Sequence, residues 1–185
     1  MLNKLLQKIV TDKKLIPPLE FIIKILLVYG CWKLFHTYAS SPSSLIHPQW
    51  ASFNNWFGGK IVSVSVWVLL DLLGYKALVG DRTFILLGTQ GIYIADHCLG
   101  IPPIVIFTAF IAVFSGKWYH KLWFIPMGVL GIFFINVFRV VGLGVVQVHF
   151  SQAFFNLSHT YVYLLLTYGL IFLLVTLWMN RFYKL

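Results

Sequence analysis

Acidic residues are nearly missing from this chain: Asp and Glu number five in 185 residues, and charged residues of both signs make up only 10%. An ordinary soluble domain is thereby excluded, because such a domain needs far more charge to cover its surface. Most of the five lie outside the apolar runs, so a proton or cation relay through a membrane lacks its carboxylates. Cysteine is equally scarce. Cys31 falls inside one apolar run and Cys98 at the edge of another, which argues against a disulfide framework. No compact Cys/His spacing suggests a metal centre, and no cofactor is implied. What the chain does have is hydrophobicity, with 59% apolar residues and a mean hydropathy of +0.85.

A helical bilayer crossing needs ~20 apolar residues. Four runs suit that length, 21–40, 99–115, 122–148 and 160–180, and the stretches 61–79 and 84–95 are less clear. The net charge of +9 could point to nucleic acid, but its distribution is topological. Lys4, Lys8, Lys13 and Lys14 precede the first run, Lys117 and Lys121 sit between the second and third, and Arg181 and Lys184 follow the last. Flanks of that kind face the cytoplasm. The sequence VYGC at 28–31 resembles a lipoprotein cleavage site, but Tyr29 and Lys24 fit it poorly, so the first run reads as an uncleaved anchor.

The fold expected is an all-α integral membrane bundle of about four spans, forming one membrane-embedded domain over 1–185. Residues 1–20 are its basic cytoplasmic start, 41–97 lie outside the cytoplasm and 98–180 form the core spans. SPSSLIHP at 41–48 reads as a loop from its Pro and Ser content. Residues 61–79 carry Ser63, Ser65, Asp71 and Lys76 and are expected as a helix on the outer surface rather than a crossing, since charge at mid-bilayer is costly. RTFILLGTQGIYIADH is expected as a short hairpin-like segment over 82–97, with extended pieces 82–88 and 91–96 turning at Gly88–Gly91. The competing arrangement has 61–79 cross and 84–95 return, but the latter is too short for a regular span.

Few polar residues remain to carry chemistry. Cys98 is expected at the first turn of a membrane helix, at its outer lip, where the helix dipole favours thiolate. Arg139 stands in INVFRVVGLGVV with no carboxylate neighbour. An intramembrane arginine is a functional residue by default, although one that snorkels to headgroups is the bland reading. It precedes Val148 by nine residues, or ~14 Å at ~1.5 Å per residue. Asn136, three residues earlier, shares its helix face. His159 is expected at the head of the last span, where an imidazole can accept a proton. His97 is a rival base, and Asp96 could orient either histidine. Together Cys98, Arg139 and His159 supply a nucleophile, an oxyanion stabiliser and a base. A small transporter or channel that binds an anion at Arg139 is the alternative.

Several features taken in order resemble the exosortase/archaeosortase family, particularly its short forms. They are a Cys at the outer edge of a span, that span ending in FSGK (114–117), NVFR (136–139) in the next, and a His before a last span carrying YG-x-x-FLL (168–174). The likeness covers about residues 80–183. It implies a membrane cysteine protease or transpeptidase of the inner (cytoplasmic) membrane, its active site facing the extracytoplasmic side, acting on membrane-anchored proteins with a C-terminal sorting signal. The partners implied are that substrate and the lipid bilayer, with no nucleic acid. The family's catalytic Cys, Arg and His fall on Cys98, Arg139 and His159. Many members follow the Cys with Ser-Gly, where this chain has Leu99-Gly100.

Overall fold

A computed structural model describes residues 16–114 and 116–182, with the backbone alone for 16–21. The expected cytoplasmic start at 1–20 thus lies largely outside the described residues. All four apolar runs are helical. The first forms α1 (Ile16–Ala39) and the second α3 (Ile101–Val113). The third forms α4 (Trp118–His149), and the fourth belongs to a continuous stretch made of α5 (Gln152–Leu157), a π turn (Ser158–Val162) and α6 (Tyr163–Arg181).

Two stretches, Trp118–His149 and Gln152–Arg181, are long and apolar enough to cross a membrane, among the described residues. With 13 residues, α3 is only ~20 Å long at ~1.5 Å per residue. The last helix starts earlier than its apolar run. Ser151 caps it, its Oγ accepting from the Phe154 N–H at 3.4 Å, which is the usual service of a serine at that position. His159 therefore lies two turns inside the helix and not at its head.

The outer-surface helix expected at 61–79 needs correction at both ends. Helix α2 runs from His47 to Trp67 and continues as a π turn over Val68–Leu72. Pro48 accounts for the early start, since a proline in the first turn loses no helical bond. Residues Ala77–Val79 form a strand, β1, that the sequence did not suggest. It pairs antiparallel with β2 (Thr83–Leu86), which pairs antiparallel with β3 (Ile92–Tyr93), in the order β1-β2-β3. The hairpin expected over 82–97 is present as β2 and β3. Its side chains alternate as a half-buried sheet requires: Phe84, Leu86, Ile92 and Ile94 are buried, whereas Ile85, Leu87 and Tyr93 are exposed.

Two apolar clusters hold the chain together. One joins the buried face of the sheet to α2 and the later half of α4 through Leu69, Phe84, Leu86, Val140 and Leu143. The other joins α3, the early half of α4 and the end of α6 through Phe107, Ile111, Phe124, Ile132 and Trp178. Lys121 is buried and donates to the Ala112 carbonyl at 2.7 Å, satisfying a carbonyl that the end of α3 leaves free. Within a bilayer such packing rests on close contact rather than on expulsion of water. At Gly128 a Cβ would overlap the Phe107 ring, whereas at Gly131 the nearest atom, on Leu170, is 3.7 Å away.

Gly128→Ala should therefore push α3 from α4 and destabilise the fold by about 1–3 kcal/mol, as overpacking does. Gly131→Ala should be near neutral. Thermal unfolding of the two variants in detergent measures the difference, and equal midpoints would contradict the close approach at Phe107.

Candidate functional site

Cys98 closes a short 3-10 turn, Asp96–Cys98, its N–H bonded to the Ala95 carbonyl at 2.9 Å. It does not occupy the first turn of α3, because Gly100 is the N-cap. Gly100 has a left-handed φ of 72°, a conformation open to glycine and strained for other residues. A Cβ there would also overlap the Asn136 amide. The chain entering α3 is thus pressed directly onto α4 where Asn136 stands. Asn136 is 2% exposed and donates to the Ile132 carbonyl at 3.1 Å. It touches the joint that carries Cys98, one helical turn below Arg139.

Arg139 extends from α4 to the thiol. Its Nη2 donates to Cys98 Sγ at 3.4 Å and lies 3.2 Å from His159 Nε2. Cys98 Sγ and His159 Nε2 are 3.9 Å apart. The guanidinium has donors only, so its contact with Nε2 is a hydrogen bond when that nitrogen carries no proton. His159 belongs to the π turn and stacks on Phe155 at 6.2 Å between ring centroids. A π turn widens the helix by one residue and re-aims its side chains, and such turns gather at functional sites. Three groups far apart in sequence therefore meet from three elements.

The remaining candidates are placed differently. Asp96 accepts from Arg82 Nη1 at 2.6 Å and is 62% exposed, so its partner is Arg82 and not a histidine. In a 3-10 turn of about three residues per turn, Asp96 and Cys98 point to different sides. Arg82 is mostly buried and also donates to Asn55 Oδ1 at 3.2 Å and to the Ile94 carbonyl. It ties the turn before Cys98 to β2 and α2, a role sequence reasoning missed. His97 makes no hydrogen bond among the described residues, and it lines two cavities, of 330 and 320 Å³.

Two cavities flank the three groups, and Arg139 and His159 belong to the walls of both. One, of 330 Å³, is also lined by Pro102, Pro103, Tyr163 and Tyr168, between α3 and α6. The other, of 210 Å³, is lined by Cys98, Tyr93, Leu143 and Phe155, beneath the sheet. A larger hollow, of 860 Å³, lies among Trp32, Phe57 and Ile104. It is apolar, and Cys98, Arg139 and His159 do not line it. Cys31 is exposed there and, like Cys98, is not disulfide-bonded.

A thiol, an imidazole and a guanidinium in mutual contact can perform nucleophilic acyl chemistry. The family model of the transmembrane exosortases matches residues 44–179. The chain belongs to that family. No curated protein and no solved structure matches it. The matched span runs from the turn before α2 to the end of α6, so it takes in the sheet as well as all three groups. Family membership and the two apolar helices make this exosortase a membrane protein.

Arg82→Ala should lower thermal stability by about 1–3 kcal/mol, because it strips the buried Ile94 carbonyl of a charged donor and frees the turn before Cys98. Asp96→Asn should change it by no more than ~1 kcal/mol, since an exposed ion pair contributes little. Unfolding of the solubilised variants tests this. A larger loss from Asp96→Asn would reverse the assignment of the anchoring role to Arg82.

Proposed function

We propose that this exosortase is a membrane cysteine protease or transpeptidase that processes the C-terminal sorting signal of exported proteins. The observation that carries this reading is the contact of Cys98, Arg139 and His159 across three elements. His159 Nε2 takes the thiol proton, and the sulfur attacks the carbonyl carbon of the scissile peptide. The carbonyl oxygen then bears negative charge, which Arg139 stabilises. As the C–N bond breaks, the leaving amine takes the proton from His159. The thioester on Cys98 is resolved by water or by an acceptor amine, which restores the thiol.

The topology proposed has four crossings, by α1, α3, α4 and the last helix, with both termini and the 116–121 loop in the cytoplasm. In this reading α2 lies outside. Its contacts fit a helix that dips into the membrane from the outer side: Phe57 meets Phe133 near the middle of α4 at 5.9 Å, and Leu69 abuts Gly144 nearer its end at His149. The end of α4 is tied to the sheet region by Gln147 Nε2 to the Gly91 carbonyl at 3.2 Å and by Tyr75 Oη with His149 Nε2 at 2.8 Å. The thiol cluster then faces the outer side, as a substrate delivered by export requires. The short α3 helps, since it brings Cys98 down to the level that Arg139 can reach.

Reporter fusions decide the topology. A fusion at residue 80 should report from the outer side, and protection of that fusion in the cytoplasm would replace the four-crossing arrangement with one containing an extra span.

Cys98→Ala, Arg139→Ala and His159→Ala should each reduce substrate cleavage in membranes by at least ~100-fold, and the triple variant should lose little more, since members of one catalytic unit act non-additively. Arg139→Lys should fail too, because an ammonium cannot reproduce the planar fork. His97→Ala should retain substantial activity. Cleavage of wild-type extent by well-expressed Cys98→Ala would exclude thiol catalysis and leave Arg139 as an anion-binding residue.

A further inference from the structure

The strand nearest the thiol has one unpaired edge. In the order β1-β2-β3, β3 pairs with β2 alone. Antiparallel neighbours alternate between residues that exchange hydrogen bonds and residues that do not. Ile94 N–H donates to the Arg82 carbonyl at 2.9 Å, and the register sets Phe84 opposite Ile92 and Thr83 opposite Tyr93. Ile92 and Ile94 therefore turn their backbone groups to β2, while the N–H and C=O of Tyr93 point off the opposite edge. Among the described residues neither of these Tyr93 groups has a hydrogen-bond partner.

The opening is limited to this residue. On one side the Gly91 carbonyl is taken by Gln147 at 3.2 Å, and on the other the Ala95 carbonyl accepts from Cys98 N–H at 2.9 Å. Between them, Tyr93 lines the 210 Å³ cavity whose wall also holds Cys98, Arg139 and His159. The residue with a free peptide donor and acceptor thus lines the same hollow as the thiol. Such a pair is complementary to another peptide in extended form, the arrangement by which sheet edges bind strands.

We propose that the β3 edge at Tyr93 binds the substrate segment just before the scissile bond, as an added strand that delivers its carbonyl to Cys98. This rests on the thiol chemistry proposed above. The direction follows from the tie between the sheet and the outer end of α4: the exported part of the substrate meets β3. Its membrane helix continues past Cys98 toward the cavity between α3 and α6. Recognition through the backbone fixes the depth of the chain and leaves side-chain selection to other contacts.

The test uses membranes that contain the full chain and a secreted reporter protein. The reporter's tail, a short motif followed by one hydrophobic helix and a basic end, is one that the wild-type chain cleaves. Tyr93→Pro removes the outward N–H and crowds the edge, yet takes no bond from the β2 ladder, so the sheet is retained. Tyr93→Ala keeps the backbone groups. Tyr93→Pro should cleave about tenfold more slowly than Tyr93→Ala, the effect of one lost hydrogen bond, with Cys98 still labelled by a small maleimide in both. A proline walked through the reporter residues upstream of the cleavage point should block at the one position whose N–H meets the Tyr93 carbonyl and be tolerated at the neighbouring positions, and this reading does not depend on how Tyr93→Pro folds. Equal rates for the two Tyr93 variants with normal labelling, or uniform tolerance of the proline walk, would overturn the edge as a binding site. Cys98→Ala separates the two ideas: an inactive Cys98→Ala beside a fully active Tyr93→Pro removes the edge alone, whereas an active Cys98→Ala removes the chemistry on which it rests.

Discussion

The constraint on which the site depends is a guanidinium in an apolar bundle. Arg139 carries five N–H donors and no acceptor, and leaving them unsatisfied away from water is costly. The acceptors it meets are Cys98 Sγ and His159 Nε2. Neither is a carboxylate. A carboxylate would neutralise the guanidinium and hold it in a tight bidentate pair. A thiol and an imidazole engage one of its nitrogens, Nη2, and leave its charge uncommitted, which is the condition for stabilising negative charge that appears only during a reaction.

Satisfying Arg139 from two directions dictates much of the surrounding architecture. The start of α3 must come close to α4, and the glycine at position 100, packed on Asn136, permits that approach. The last helix must present an imidazole to the same point, and the π turn at 158–162 sets that register. The turn bearing Cys98 must not drift, and Arg82 binds Asp96 and the Ile94 carbonyl on either side of Ala95. The two apolar clusters then clamp the helices above and below the polar groups.

The helices were legible in the sequence because bilayer thickness makes long apolar runs obligatory, and all four runs are helical in the structure. The three polar residues could be picked out because so few stand beside apolar runs. Their meeting is a different matter. Spacing could align Asn136 with Arg139 on one face, but no periodicity announces a π turn, so His159 looked like the head of a span when the helix starts at Gln152. Asp96 looked like a partner for a neighbouring histidine because sequence shows adjacency and not direction. Arg82, fourteen residues away, is its actual partner. Strand β1 was hidden in a stretch whose hydrophobicity resembles that of a surface helix. The start of α2 was hidden behind Pro48, which reads as a loop residue although it is well suited to a first helical turn.

The distances within the cluster bear on how the proposed reaction would begin. At 3.4 Å the guanidinium is closer to the sulfur than the imidazole is at 3.9 Å, and the imidazole nitrogen is shared with the same guanidinium at 3.2 Å. A nitrogen that accepts from Arg139 cannot at that moment take the thiol proton through the same lone pair. In the proposed reaction the base would be released when Arg139 moves away from it, drawn by a substrate carbonyl held between the two cavities. Arrival of the carbonyl would thus place a donor at the developing oxyanion and free Nε2 for the thiol in one movement. Without substrate, the thiol and imidazole lie 3.9 Å apart and Arg139 contacts both, so in the proposed reaction the arginine would keep the thiol from reacting before a peptide is in place.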